Sequence, residues 1–407
     1  MKTTSLALSF RPLRVLAVRA LGKVWRGATF SAFSPLVVRE IDVSLPPKPG
    51  WVRVKNRLAG ICGSDLSLVF SQFDFDIAPL ALPSSDLFYL GHEVVGEVAE
   101  TGNGVEGLSP GDRVFFRGWE ENCAFQGLEP PCPECAAGNY CLCRNLAEGA
   151  GAREGQVGGG WGGWMLVRAS QIVPLPRELS DEEGVLVEPF ACSFRAVLRR
   201  PPPPGGRVLV IGAGTIGLGA VFALSRLFPE ARVAVLARHP HQRELARALG
   251  AQTVHGGGDL YEEFARLTGA RSCRGPGGNS LLLGGFDVVY DCVSSERTLA
   301  DSLRWTRARG AVVVAGANLR PRRFDHSPVW FREVDLVGAI GHGREIHRGV
   351  ETGTLDLTIR TLLESRGLVS RLVTHRFPLA DYRRAILTAA DKRVSGAVKV
   401  TFDLSGS

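Results

Sequence analysis

The sequence predicts an α/β protein in two parts, a β-rich N-terminal half followed by a doubly wound parallel sheet. Two patterns predict it: short β-rich pieces divided by Pro and Gly turns up to about residue 115, then strands alternating with helical stretches from about residue 205. A glycine loop, RVLVIGAGTIGLGA, marks the junction of the first of those later strands with its helix. At 407 residues the chain is too long for one compact core, so two domains are expected.

The opening stretch, MKTTSLALSFRPLRVLAVRA, carries one early lysine, but Ser, Thr, Pro and three arginines interrupt any secretory signal core. It reads as a first strand region of a cytoplasmic protein. From residue 30 to 115, WVRVKNRLAG and HEVVGEV are separated by PPKPG and SPGD turns with no long helical period, the texture of a β-barrel or folded sheet. Later, RVLVIG, RVAVLA, FDVVYDCV and GAVVVAGA are short apolar strands, and HQRELARALGA has Leu and Ala at helical spacing. The run from Val208 to Ser225 is uncharged for 18 residues, but its glycines at 212, 214, 217 and 219 indicate a buried strand turning into a buried helix rather than a membrane span. Residues 270–286, ARSCRGPGGNSLLLGGF, are expected to form a long loop. After about residue 340, LTIRTLLESRGLV and YRRAILTAADK supply helices and GAVKVTFD a closing strand.

With 45% hydrophobic and 22% charged residues the composition is that of an ordinary globular protein. A net charge of +7 arises from 48 basic residues spread along the chain among 41 acids, which reads as a solvated surface with no nucleic-acid and no membrane partner. Nine cysteines in a reducing cytoplasm are metal ligands or core residues more often than bridges.

Gly212, Gly214 and Gly217 stand in G-x-G-x-x-G spacing after an apolar strand, with Thr215 and Ile216 between the last two. The first glycine permits the tight turn, the second lets a pyrophosphate approach the backbone and the third lets helix and strand pack. The helix N-terminus then offers its amides to the phosphates. Where the second strand ends, an acid would bind the ribose hydroxyls of NAD; Arg238 and His239 stand there instead, which favours the 2′-phosphate of NADP, with Arg243 further along.

Cys62 in GICGSDL, with His92 and Glu93 in GHEVVGEV, supplies the thiolate, imidazole and carboxylate of which catalytic zinc sites are made. Five more cysteines crowd CAFQGLEPPCPECAAGNYCLC, residues 123 to 143.

These residues together resemble the zinc-dependent medium-chain alcohol and polyol dehydrogenases, from about residue 30 to the end. Gly91, His92, Glu93, Gly96, Gly102 and Val105 match that family's zinc signature, and SPGDRV follows where the family has it. The resemblance implies a GroES-like β-rich catalytic domain over 1–190 with a structural-zinc lobe at about 120–145, a Rossmann domain over 191–340, and a segment 341–407 returning to the catalytic domain. It implies Cys62 and His92 as catalytic zinc ligands and Glu93 as a ligand or an exchangeable partner of the metal. Glu188 in LVEPFAC is implied as the polyol branch's third ligand, in preference to Cys192, which the family places near the nicotinamide. Asp65 would fix the tautomer of His92, and Ser64 would take the alcohol proton; Ser67 stands where many relatives carry a relay histidine. In the lobe the family spacing is C-x2-C-x2-C-x7-C; Cys132, Cys135 and Cys143 match the last three positions and Glu129 occupies the first. Cys123 or Glu129 would complete the set, leaving Cys141 as a spare thiol; a lobe without zinc and a Cys132–Cys135 redox pair are the alternatives. The implied activity is hydride exchange between NADP(H) or NAD(H) and a secondary alcohol or polyol, in a homodimer or tetramer. The rivals are a zinc-free quinone or enoyl reductase and a non-catalytic NADPH-binding protein.

Overall fold

The computed structural model describes residues 1–22, 24–44, 46–78, 81–82, 87–118, 122–146 and 156–406. The chain divides into two compact units, one of residues 1–188 with 362–407 and one of residues 189–361.

The first unit opens with β1 (Lys2–Ser9), α1 (Pro12–Leu21) and β2 (Leu36–Asp42). Strand β1 lies between β2 and β4 (Leu87–Tyr89) in an antiparallel sheet and buries Leu6, Ala7 and Leu8. Before β4 come β3 (Trp51–Gly60) and α2 (Gly63–Val69); after it come β5 (Val94–Thr101), β6 (Arg113–Phe116), β7 (Trp164–Arg168) and β8 (Ile172–Pro174). Strand β3 alternates buried Val52 and Val54 with half-buried Arg53 and Lys55, the period of a strand with one face on a core.

The helix α3 (Val187–Arg199) carries the chain into the second unit. Its sheet contains β9 (Arg207–Ile211), β10 (Arg232–Leu236) and β11 (Thr253–His255), with α4 (Thr215–Leu227) and α5 (Pro240–Ala248) between them. Next come α6 (Leu260–Thr268), the hairpin β12 (Arg271–Arg274) and β13 (Ser280–Leu283), β14 (Phe286–Asp291), α7 (Glu296–Trp305), β15 (Thr306–Val314) and β16 (Asp335–Gly338). The six-stranded order β11-β10-β9-β14-β15-β16 is parallel throughout and reverses direction at β9, which is the doubly wound arrangement. Phe264 packs edge-to-face on Phe286 and Trp305, with ring centroids 5.1 and 4.9 Å away.

Two expectations need correction. The stretch 270–286 is not a long loop: β12 and β13 pair antiparallel around a GPGG turn, and Leu282 buries itself in the α/β core. The return to the first unit comes at Leu362 rather than at 341. Residues 341–361 hold a second hairpin, β17 (Arg344–His347) with β18 (Val350–Gly353), and the start of a helix (Thr354–Glu364), and Arg195 ties the hairpin to its own unit. The Arg195 Nη1 donates to the carbonyls of Ile340 and His342, each at 3.0 Å, and Nε meets Glu345 at 3.2 Å.

The last residues complete the first unit. Strand β19 (Val373–Pro378) lies beside β20 (Lys399–Asp403), and β20 pairs antiparallel with β3, giving the order β19-β20-β3-β5-β6-β8 with β7 also on β3. Among the described residues no helix is long and apolar enough to cross a membrane; the uncharged run at 208–225 is divided between β9 and α4.

Candidate metal centre and nucleotide loop

Cys62 is the N-cap of α2, and His92 and Glu93 come immediately before β5. The Cys62 sulfur, an imidazole nitrogen of His92 and a carboxylate oxygen of Glu93 all lie within 4.8 Å of one another. Cys62 is half-buried, while His92 and Glu93 are buried. Thiolate, imidazole and carboxylate converging at that separation fit a zinc ion.

Asp65 serves two neighbours at once. Its Oδ2 accepts the Cys62 N–H at 3.1 Å, a helix cap, and its Oδ1 stands 3.5 Å from Nδ1 of His92. Burial alone pushes the His92 imidazole down, but Asp65 and then Cys62 outweigh it and hold its pKa well above the ordinary value. A cation is therefore welcome at this place, and a metal competes there with a proton.

Sequence reasoning missed Lys399. Its Nζ donates to both carboxylate oxygens of Glu93, at 2.7 and 2.5 Å, with 2% and 1% of the two side chains exposed. It also reaches the Ile61 carbonyl at 3.4 Å. Burial pulls its pKa down, but Glu93, Cys62 and Glu188 more than restore it, so the net shift is upward. Gly60 makes room for this pair, because a Cβ there would sit 2.1 Å from Oε2 of Glu93. The signal was legible in kind: a lysine inside the buried run VKVTF must have an acidic partner.

Glu188 is half-buried and stands outside the close three-residue group, although its charge is felt at Lys399. Ser64 and Ser67 both lie on α2, half-buried. Cys192 is half-buried on α3, in the second unit.

In the cysteine lobe Cys123, Cys132, Cys135 and Cys143 are all buried, with their sulfurs within 4.8 Å of one another. The Cys123 and Cys143 sulfurs are 3.6 Å apart, far beyond a disulfide of about 2.05 Å. Backbone N–H groups point at this cluster: Cys132 toward Cys123 at 3.3 Å, Arg144 toward Cys132 at 3.4 Å and Asn145 toward Cys143 at 3.3 Å. The Cys132 thiol is pushed down to about 6 by the N–H groups of Cys135 and Arg144, whereas burial pushes Cys135 and Cys143 up. Glu129 is exposed, and Cys141, though buried, is outside the group of four. Four converging sulfurs fit a closed tetrahedral zinc site.

In the second unit Gly212 holds φ +89° at the end of β9, and Gly214 is the N-cap of α4. A Cβ at Gly217 would lie 1.9 Å from the Gly212 carbonyl, so the strand-to-helix turn closes only with glycine there. Thr215 is buried and Ile216 half-buried in the first turn of α4. Arg238 is exposed just past β10, and His239 caps α5 with its ring stacked 5.6 Å from His241. Arg243 turns its guanidinium over Gly256, just past β11.

Residues 48–177 match the family model described as Alcohol dehydrogenase GroES-like domain, and residues 215–352 match the one described as Zinc-binding dehydrogenase. L-idonate 5-dehydrogenase of Vitis vinifera is 30% identical over 369 residues, covering 88% of this chain and 88% of the relative. Among solved structures, 2R,3R-butanediol dehydrogenase from Bacillus subtilis is similar with a TM-score of 0.68 at 25% identity, over 90% of this chain and 96% of that one. A structure from Sinorhizobium meliloti 1021 bound to NADP has a TM-score of 0.67 at 27% identity, again over 90% and 96%. With the GroES-like and doubly wound parts both matched, and the metal and nucleotide motifs in place, the chain belongs to the zinc-binding dehydrogenase family and is an oxidoreductase.

Proposed function

We propose that the protein interconverts a secondary alcohol or polyol and its carbonyl compound, with zinc held by Cys62, His92 and the Glu93 or Glu188 carboxylate, and with NADP(H) as the preferred hydride carrier. The observation that carries the reading is the convergence of Cys62, His92 and Glu93 donor atoms within 4.8 Å. The relatives named for L-idonate and butanediol support the substrate class.

When bound, zinc supplies Lewis acidity toward the substrate oxygen, and the nicotinamide supplies the hydride acceptor. The chain's own residues do the rest. Asp65 holds the Nδ1 side of His92, which leaves Nε2 for the metal. Ser64 accepts the alcohol proton and passes it outward by Ser67 or water. Lys399 fixes the Glu93 carboxylate by donating to both of its oxygens. Arg238, with Arg243 nearby in sequence, offers positive charge to a 2′-phosphate beyond β10.

The four-cysteine lobe is read as a structural zinc site closed by Cys123. A homo-oligomer is supported by the sheet edge at β16, where Leu336 and Ile340 are 43% and 59% exposed beside Trp330 and Phe331.

Elemental analysis and a panel of secondary alcohols with NADP and NAD test the reading. Two zinc ions per chain with NADP-linked oxidation support it. A metal-free chain that transfers no hydride across the panel would sink it.

A further inference from the structure

The charge of the chain is not evenly placed. Residues 1–39 contain Lys2, Arg11, Arg14, Arg19, Lys23, Arg26 and Arg39 and no acid, while residues 40–407 hold the other 41 basic residues against all 41 acids. The whole net charge of +7 therefore lies in the first 39 residues. Spread in number, the basic residues are concentrated in excess. Lys2 is answered by Glu40 at 2.7 Å, but from Phe10 to Val38 five basic residues have no acid in their own segment.

That segment also exposes apolar surface. Helix α1 buries Val15 and Val18 and turns Leu13, Leu16 and Ala20 outward, with Leu13 80% and Leu16 52% exposed. Spacings of three and four put these residues side by side on one helix face. Just beyond the helix, Val24 and Trp25 are 86% and 49% exposed, and Phe33 is 60% exposed. Single exposed leucines need no explanation; a helix face continued by Val24 and Trp25 does.

The helix is held so that this face stays outward. Arg14 Nη1 donates to the Ser34 carbonyl at 2.9 Å, and Arg19 Nε donates to the Ser71 carbonyl at 3.1 Å while its guanidinium lies 4.8 Å over the Phe73 ring. Arg11 remains exposed at the helix N-terminus.

We propose that the outward face of α1, with Val24 and Trp25, docks on the surface of an anionic lipid bilayer. The segment carries five cations and no acid, with Arg11 exposed and Arg14 and Arg19 bonded to backbone carbonyls, which calls for a negative partner; the outward leucines and Trp25 call for one with an apolar layer beneath its charge. A bilayer with acidic headgroups has both, and a tryptophan favours the boundary between them. The contact lies on the membrane and does not span it, and it is a partner the sequence reading did not expect. It does not depend on the metal reading, since none of these side chains belongs to the metal centre.

The test uses the full chain and two vesicle preparations, phosphatidylcholine alone and phosphatidylcholine with phosphatidylglycerol in equal parts. Co-sedimentation at low salt is expected to be about tenfold or more stronger on the mixed vesicles, and to fall as salt screens the headgroups. The Trp25 contribution, obtained as the difference from a Trp25→Phe variant, shifts to the blue on binding. Leu13→Gln with Leu16→Gln is expected to lose about tenfold in binding. Because both positions are exposed, that variant keeps the wild-type fold and dehydrogenase rate. Equal binding to the two vesicles, no binding, or binding retained by the double variant overturns the proposal. So does an oligomer that the double variant dissociates, which would assign this face to a second copy of the chain.

Discussion

Replacing Lys399 with Met removes the ammonium and keeps most of the apolar stem, so the loss it causes is electrostatic. The two side chains are 2% and 1% exposed, and solvent cannot screen the carboxylate that remains. Stranding one member of such a pair costs about 3–5 kcal/mol, and the lost hydrogen bond to the Ile61 carbonyl adds to it. Glu93→Gln strands the ammonium instead and costs a similar amount. The double variant has no buried charge at either position and should return to within about 1 kcal/mol of wild type. Zinc at Cys62 and His92 would put positive charge beside Glu93, so chelation should enlarge the Lys399→Met loss and leave the double variant less affected. Urea unfolding followed by tryptophan emission reads this, because buried Trp161 donates to the Gly60 carbonyl at 3.0 Å, next to the pair. A Lys399→Met loss below about 1 kcal/mol, or a double variant equal to the sum of the singles, would refute the reasoning.

Three further outcomes are expected. Cys123→Ser should release one of two zinc ions per chain and cost more than about 2 kcal/mol, while Glu129→Ala and Cys141→Ser keep both ions, as elemental analysis and melting will report. Arg238→Asp should lower kcat/KM for NADP by about 10- to 100-fold while that for NAD holds or rises; an unchanged ratio removes Arg238 from cofactor choice. Burial raises the pKa of Asp291, so the folded state keeps a proton that the unfolded chain has released, and stability falls as pH rises above the ordinary carboxyl value of about 3.9. Asp291→Asn should abolish that slope in calorimetry and match or exceed wild type at neutral pH.

The two halves of the fold were legible because each has a period. Alternation in WVRVKNRLAG became the half-buried β3, and the glycines after RVLVI became the turn into α4. The family resemblance pointed to Cys132, Cys135 and Cys143, and the chemistry of a closed site favoured Cys123 over Glu129; in the structure the sulfur of Cys123 joins the other three and Glu129 faces solvent. What was not legible depends on distant pairing. Lys399 and Glu93 are 306 residues apart and meet because β20 inserts next to β3, a register no local pattern states. The hairpin at 271–283 was hidden because its strands are short and a Gly-rich turn dominates the composition. The α1 segment was hidden because whole-chain counts averaged its charge away.

Strand β20 sits inside the order of its sheet, between β19 and β3, although it follows the whole second unit in the chain. On the ribosome, residues 189–361 are complete before it emerges, so the unit made second can finish folding first. Until β20 arrives, Glu93 has no ammonium and β3 has an open edge. The seating of Glu93 therefore waits on a strand that follows the whole second unit in the chain: a variant cut before Lys399 would carry Cys62 and His92 but lack the ammonium that holds the acid beside them.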